Sequence, residues 1–205
     1  MQKIIYVMDP HCGWCYGNSA NLSAIYKKFE EKFDFEIIVG GMWLSENAPN
    51  GGENLSNYLE QNIPRLEDTT GVTIGKPFYE LMKNENYILS SLEPCAAIKL
   101  IKKMAPKKAI DFAKRVQEIT FIDGKALDSI DSYIPILQEL NISKETFEKE
   151  WLSENNLHET KEEFKIAQQL AKGFPTLLLS KNNQKQIVTS GYFNLKEMTN
   201  FLDSL

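Results

Sequence analysis

Cysteine and histidine are scarce in this chain of 205 residues, which contains three of the first and two of the second. Three cysteines are too few for a disulfide-stapled scaffold, and a chain of this length can bury an adequate core without one. A closed structural zinc site needs four ligands. Besides Cys12 and Cys15, only Cys95, His11 and His158 remain as Cys or His candidates, and they form no second ligand pair. We therefore expect the cysteines to be either reactive groups or parts of the packed core, and we predict no metal site.

Long apolar runs and an excess of positive charge are also missing. No stretch approaches the ~20 apolar residues of a membrane-spanning helix. The net charge is −5, whereas a nucleic-acid binder usually has a basic surface. One basic run is interpreted as a solvated helix face; it comprises Lys102, Lys103, Lys107 and Lys108. The N-terminus shows no signal-peptide pattern, so we expect a cytoplasmic protein that binds neither membranes nor nucleic acid.

The two ends of the chain carry the pattern of an α/β framework. Runs rich in β-formers predict strands at 4–8, 35–39, 175–179 and 186–189. Apolar residues at spacings of three and four predict helices at 14–31, 158–171 and 195–202. Two strands joined by a helix favour a βαβ unit with a parallel sheet. A turn over Lys181 to Gln184 predicts that the last two strands form an antiparallel hairpin.

The middle of the chain is helical in pattern. Helices are predicted at about 53–63, 76–85, 93–104, 107–121, 126–139 and 143–153. Breakers such as Pro64 and Gly71 separate them. The sequence thus predicts a framework made of residues 1–41 and 156–205, with an inserted helical domain at 42–155.

The run Cys12-Gly13-Trp14-Cys15 lies directly after a predicted strand and at the start of a predicted helix. The species that attacks a disulfide is a thiolate. A helix N-terminus, with its free N–H groups and partial positive charge, favours that anion at Cys12. Cys15 lies one turn further on, within reach of the Cys12 sulfur, so it can release product from a mixed disulfide. The spacing indicates a redox pair; half of a zinc site or an inert buried pair are the alternatives.

A second segment, Gly173-Phe174-Pro175-Thr176, lies between a predicted helix and a predicted strand. Proline at the start of a strand is tolerated for structural reasons alone. A cis bond is uncommon even before proline, at about 5–6% of such bonds in folded proteins. By itself this segment indicates little.

Taken together, the strand, the Cys-x-x-Cys motif, the helical insertion, Gly-Phe-Pro-Thr, the hairpin and the last helix resemble the DsbA-type branch of the thioredoxin superfamily. The run from Asp9 to Gly17 is similar to FrnE-like members, often described as predicted protein-disulfide isomerases. The resemblance covers essentially the whole chain, although the insertion matches only in size and character. It implies an α/β thioredoxin-like fold with a large all-helical insertion.

The resemblance also implies roles for individual residues. Cys12 would be the exposed nucleophile and Cys15 the resolving cysteine. Pro175 would be a cis-proline that faces the disulfide, and Phe174 would offer backbone groups to an extended substrate. Such folds carry no dissociable cofactor, so the Cys12–Cys15 disulfide is the expected redox group.

Several residues near the motif have more than one possible role. His11 either tunes the thiolate and contacts substrate or is a solvated loop residue. Trp14 is expected on the surface around Cys12. Asp9 is interpreted as a strand-end turn residue rather than a proton-handling group, and Cys95 as a buried structural thiol. Gly40-Gly41 fits either a simple turn or a close approach of the backbone to a substrate groove.

The function that these signals favour is dithiol–disulfide exchange through a mixed disulfide at Cys12. Its expected partners are thiols and disulfides of proteins or peptides, with glutathione as a further candidate. One alternative is a glutathione-dependent enzyme similar to kappa-class glutathione transferases and 2-hydroxychromene-2-carboxylate isomerases. Those proteins share the inserted architecture but generally carry Ser near the first motif position. The other alternative is a binding module in which the cysteines act only as a sensor.

Overall fold

The fold is built on one sheet whose strands come from the two ends of the chain. The computed structural model describes residues 2–182 and 184–205; Met1 and Asn183, the latter in the predicted hairpin turn, lie outside the described residues. The strands are β1 (Lys3–Met8), β2 (Asp34–Val39), β3 (Thr176–Lys181) and β4 (Gln184–Ser190). The α-helices are α1 (Gly13–Phe29), α2 (Glu53–Thr70), α3 (Lys76–Lys83), α4 (Leu92–Met104), α5 (Ala109–Phe121), α6 (Ile130–Glu139), α7 (Lys144–Trp151), α8 (Glu154–Leu170) and α9 (Leu195–Asp203). None of these helices is both long and apolar enough to cross a membrane.

The sheet is mixed, with the strand order β2-β1-β3-β4. β1 pairs with β2 in parallel, and β3 is antiparallel to both β1 and β4. The parallel βαβ unit and the antiparallel hairpin are therefore confirmed. Together with the helices between β2 and β3, they form the thioredoxin-like fold with a helical insertion that the resemblance implied.

The central strand β1 is buried on both faces, and its residues alternate between two cores. Ile4, Tyr6 and Met8 belong to the large core that contains both motif cysteines and extends into the inserted helices. Ile5 and Val7 face the opposite side, where they pack with residues of α8. The motif follows shortly after β1, and both of its cysteines lie in the large core.

The predicted end of the second helix at residue 63 was wrong. α2 continues through Pro64 to Thr70, and Gly71, with φ +73, follows it as the left-handed cap. An internal proline removes one helical hydrogen bond. Close packing on α1 compensates, because added Cβ atoms on Gly13 and Gly17 would lie 2.9 Å from Leu66 Cδ2 and 2.6 Å from Thr70 Cγ2. The division into domains at residues 42 and 155 stays a prediction.

A buried carboxylate joins the insertion to the edge of the sheet. Glu163 of α8 accepts a hydrogen bond from the Val39 amide of β2 at 3.1 Å. Its oxygens also lie 2.9 Å from Lys99 Nζ and 2.6 Å from Lys102 Nζ, both of α4. Lys102 is largely buried and donates to the Ile37 carbonyl as well, so its interpretation as part of a solvated helix face was wrong. The charge pattern of the sequence does not reveal this burial, because it depends on the packing of α4 and α8 against β2.

Candidate active site

The motif lies where β1 leads into α1. α1 begins at Gly13, and Cys12 is its N-cap residue with an extended backbone. The Cys12 carbonyl accepts hydrogen bonds from the amides of Cys15 and Tyr16, each at 3.0 Å. The Cys12 amide donates to the Asp9 carbonyl at 3.2 Å. These bonds fix the Cys12 backbone at the N-terminal end of the helix.

The Cys12 sulfur faces the loop that precedes β3. Its thiol donates to the Phe174 carbonyl at 3.5 Å, and the Phe174–Pro175 peptide bond is cis. The expectation of an exposed nucleophile was wrong for this structure, because Cys12 is only 6% exposed. The Phe174 ring also packs against the chain just after β2, since an added Cβ on Gly40 would lie 2.1 Å from it. Gly41 has φ +64, which fits a turn after the strand, and an approach of Gly40-Gly41 to a substrate groove stays a prediction.

The Cys15 sulfur lies on the inner side of α1, in the large core. Cys15 is 1% exposed. Burial raises the pKa of its thiol well above the ordinary range, and hydrogen bonding to Cys12 raises it further. Cys15 is therefore the member of the pair that faces the core.

Asp9 is more than a turn residue at the end of a strand. Its side chain is completely buried and accepts four hydrogen bonds. The donors are His11 N at 2.9 Å, Met42 N at 2.7 Å, Ser91 Oγ at 3.0 Å and Cys95 Sγ at 3.8 Å. Burial raises the pKa of Asp9, and the four donors act in the opposite direction. The carboxylate therefore holds the motif loop to the insertion.

His11 is buried, so its interpretation as a solvated loop residue was wrong. Its Nε2 lies 2.9 Å from the Ser90 carbonyl, immediately before α4. Burial lowers the pKa of His11 to about 4, which keeps the ring neutral near pH 7. Within the described residues its Nδ1 has no hydrogen-bond partner. The ring is engaged by the insertion, and a direct contact between His11 and substrate stays a prediction.

Trp14 is half-buried between the two cysteines and lies against α2. The guanidinium carbon of Arg65 is 6.0 Å from the centre of the Trp14 ring. Among the described residues, Arg65 forms no salt bridge. Sequence reasoning missed Arg65, because only the packing of α2 on α1 brings it to the motif. Among the described residues, Arg65 is thus a cation without a carboxylate partner next to Trp14.

Tyr6 is a second residue that sequence reasoning missed. Its side chain lies in the large core with both motif cysteines, and its hydroxyl is buried. Burial raises the pKa of Tyr6 well above its ordinary value, the charges of Cys15 and Cys12 raise it further, and hydrogen bonding with the Asn18 side chain acts in the opposite direction. Alternation along β1 was the available signal, since Ile4, Tyr6 and Met8 share the face that meets α1.

Cys95 lies in the core as expected, with 0% exposure. Its thiol bonds to Asp9 at 3.8 Å, and burial raises its pKa well above the ordinary range. In the part of the chain that the structure describes, no group of three or more His, Cys, Asp or Glu side chains is arranged to hold a metal ion. The chemistry that this site can perform is that of two neighbouring sulfurs, one facing a surface loop and one facing the core.

The chain is similar to several solved structures. It superposes on a candidate protein disulfide isomerase from Nitrosomonas europaea with a TM-score of 0.85 and 19% identity, over 99% of this chain and 96% of that one. The cytosolic disulfide reductase DsbM from Pseudomonas aeruginosa gives 0.81 and 22%, over 98% and 97%. The same reductase with GSH gives 0.79 and 22%, over 98% of each chain. At these identities the similarity shows the fold.

The sequence comparisons give the family. No curated protein matches the chain. A family model described as thioredoxin matches residues 6–200, a span that includes the motif, the inserted helices and the Phe174–Pro175 loop. The chain therefore belongs to the thioredoxin family.

Proposed function

We propose that this protein is a thiol–disulfide oxidoreductase of the reductase or isomerase type, acting on disulfides of proteins or peptides. One observation carries the proposal: two sulfurs share the N-terminus of α1 but face different surroundings. Cys12 is at the N-cap and points at a backbone carbonyl of a surface loop, 3.5 Å away. Cys15 is inside the core. This is the arrangement that an attacking and a resolving sulfur need.

The reaction begins when the Cys12 thiolate attacks a sulfur of the substrate disulfide. The first substrate thiolate leaves, and a Cys12–substrate mixed disulfide remains. Cys15 then attacks the Cys12 sulfur, which forms the Cys12–Cys15 disulfide and releases the second substrate thiol. The Phe174 backbone next to Cys12 can pair with an extended substrate. No dissociable cofactor takes part, since the two electrons come from the cysteine pair.

Glutathione is the proposed reductant or small substrate, and the cytoplasm the proposed compartment. The likeness to a cytosolic disulfide reductase solved with GSH supports both. The unpaired Arg65 cation near Trp14 gives an independent reason, because glutathione carries carboxylates close to its sulfur.

The test uses purified Cys12→Ser and Cys15→Ser variants, with insulin as the disulfide probe and glutathione as the reductant. We expect Cys12→Ser to lose exchange and Cys15→Ser to accumulate a mixed disulfide that mass spectrometry detects. Cys95→Ser is the matched control, because it removes the third buried thiol and can keep the bond to Asp9; its activity should remain. Full activity in Cys12→Ser would refute the proposal.

The glutathione-dependent alternative has a specific observation behind it. A 2-hydroxychromene-2-carboxylate isomerase superposes with a TM-score of 0.61 and 14% identity, over 98% of this chain and 93% of that one. A transferase or isomerase of that type needs one reactive position and has no use for a resolving sulfur. Turnover of glutathione with an electrophile at an undiminished rate in Cys15→Ser would favour this alternative, and its loss would exclude it.

A further inference from the structure

The chain that leaves β2 packs against two aromatic rings, and one of them belongs to the loop at the motif. An added Cβ on Gly40 would lie 2.1 Å from the ring of Phe174, and one on Gly41 would lie 2.8 Å from the ring of Phe164 in α8. The two glycines therefore allow a close approach that larger residues would prevent. Since the Phe174 carbonyl accepts the hydrogen bond from Cys12, the position of Gly40 bears on the loop that faces the reactive sulfur.

Glu163, the residue before Phe164, holds the same segment from α8. Its side chain is only 5% exposed, and it accepts a hydrogen bond from the Val39 amide at 3.1 Å. The amide of the next residue, Gly40, donates to the Met8 carbonyl of β1 at 2.8 Å. Because successive residues of a strand direct their amides to opposite sides, the Val39 amide faces away from β1, on the edge of the sheet. Glu163 therefore supplies an acceptor that a further strand would otherwise provide.

Two lysines of α4 complete this arrangement. Lys102 donates to the Ile37 carbonyl of β2 at 2.7 Å and lies 2.6 Å from Glu163, and Lys99 lies 2.9 Å from the same carboxylate. Removing charged groups from water is costly, and replacing a buried ion pair by apolar side chains is often neutral or stabilising. Stability alone is therefore a weak reason for these charges. Their bonds do fix the direction of the Glu163 carboxylate, which faces the Val39 amide.

We propose that Glu163 is a positioning residue for disulfide exchange on peptide chains. It holds Val39 and the adjoining Gly40 against the Phe174 ring. The backbone of Phe174 thereby stays in place beside Cys12, where an extended substrate can pair with it. The inference rests on the proposed function and adds a preference for disulfides that belong to a peptide chain. A disulfide without a peptide backbone cannot use this pairing, so its exchange does not depend on Glu163.

The experiment compares two disulfides as oxidants of the full-length reduced protein. One is a short linear peptide whose cysteine forms a mixed disulfide with 2-mercaptoethanol. The other is 2-hydroxyethyl disulfide, which contains the same small thiol but no peptide backbone. Samples are quenched with acid, and mass spectrometry gives the second-order rate constant for each disulfide. For Glu163→Met, which offers the Val39 amide no oxygen, we expect the peptide rate to fall about 10-fold and the small-disulfide rate to change by less than about 2-fold.

Two further variants separate position from charge. Glu163→Gln also loses the ion pairs but keeps an oxygen that can accept from the Val39 amide, so it should retain most of the peptide rate. Gly40→Ala leaves the ion pairs in place and puts a methyl group where the Phe174 ring lies, so it should lower the peptide rate selectively. Removing one partner of a buried ion pair is strongly destabilising. If Glu163→Met does not fold, Gly40→Ala carries the test.

Glu159→Gln is the matched control. It removes a carboxylate one turn earlier on α8, which pairs with Lys103 of α4 at 3.1 Å, so it weakens the contact between the same two helices away from β2. Both of its rates should equal those of the wild type. A selective loss of the peptide rate in this control would assign the effect to the general packing of α4 on α8 and would contradict the inference.

Three other results would also overturn the inference. The first is a wild-type ratio of the two rates in Glu163→Met and Gly40→Ala. The second is equal slowing with both disulfides, because that indicates a general structural effect. The third is a Glu163→Gln variant as slow with the peptide as Glu163→Met. A wild-type protein that neither disulfide oxidises would instead refute the proposed function itself.

Discussion

The framework and the insertion contribute different things to the same site. The framework supplies the sulfurs and the loop against them: Cys12 and Cys15 at the start of α1, and Phe174 before β3. The insertion supplies most of their surroundings, with Ser91 and Cys95 on Asp9, Ser90 on His11, Arg65 on Trp14 and Gln117 behind Cys15. The two sulfurs thus belong to the framework, whereas most of the contacts around them come from the insertion. Each of those contacts can be broken separately.

The largest effect is expected at Asp9. In Asp9→Asn the side chain keeps one acceptor oxygen and presents an NH₂ group to a backbone donor, so one amide of His11 or Met42 loses its partner. Losing a charge-assisted bond and leaving a buried donor unpaired should lower the free energy of unfolding by about 4 kcal/mol. Denaturant titration measures this loss.

Ser91→Ala tests the same hydrogen-bond network more selectively, because it removes one of the four donors and leaves the Asp9 carboxylate in place. Its cost should be about 1–2 kcal/mol, since the Trp43 amide also loses its acceptor. Equal costs for Ser91→Ala and Asp9→Asn would contradict the view that the carboxylate is the centre of the network.

The second effect is a pH dependence that His11 creates. Its folded-state pKa is about 4, below the ordinary value of 6.5, so the unfolded chain binds a proton that the folded protein does not. The contribution of His11 to the free energy of unfolding is therefore fully present above pH ~7. It is lost as the pH drops toward 4, and the loss approaches roughly 3 kcal/mol. The raised pKa of Asp9 acts the opposite way at the acidic end, because the folded carboxyl protonates first.

His11→Gln isolates that contribution, because its amide can still donate to the Ser90 carbonyl and does not titrate. Denaturant titrations from pH 4.5 to 8 should show a shallower loss of stability in this variant than in the wild type. Parallel curves would show that His11 is not held neutral by burial.

The smallest effect is expected at Arg65. Arg65→Gln should raise the KM for oxidised glutathione about 2- to 5-fold and leave 2-hydroxyethyl disulfide unaffected, because an exposed ion pair contributes up to about 1 kcal/mol. Arg115→Gln is the control, since this other arginine pairs with Glu118 and Glu139. Equal changes for the charged and neutral disulfides would indicate that Arg65 acts through the position of Trp14 instead.

The sequence predicts those features of the fold that depend on residues close together in the chain. Alternation, helical spacing and turn residues place the four strands, α1 and the hairpin within a few residues, and Cys-x-x-Cys marks the redox pair. Pro64 within α2 was misread because packing on Gly13 and Gly17 outweighs a local breaker. The burial of Asp9 and His11 was also missed, since both depend on Ser90 and Ser91, about 80 positions away. Arg65 and Gln117 reach the motif only through tertiary packing, which no local pattern records.

The most direct test of the central claim is the redox titration of Cys12 and Cys15 in glutathione buffers, followed by the fluorescence of Trp14 between them. The account predicts a single two-electron transition, with a tenfold change in the equilibrium constant per ~30 mV, and a midpoint within or above the cytosolic glutathione poise of roughly −220 to −320 mV, so that glutathione can reduce the pair. Cys15→Ser should lose this intramolecular transition and form only a Cys12–glutathione mixed disulfide, which mass spectrometry identifies. A wild-type protein without a transition, or a Cys15→Ser variant whose transition is unchanged and without bound glutathione, would contradict the assignment of this pair as the reacting group.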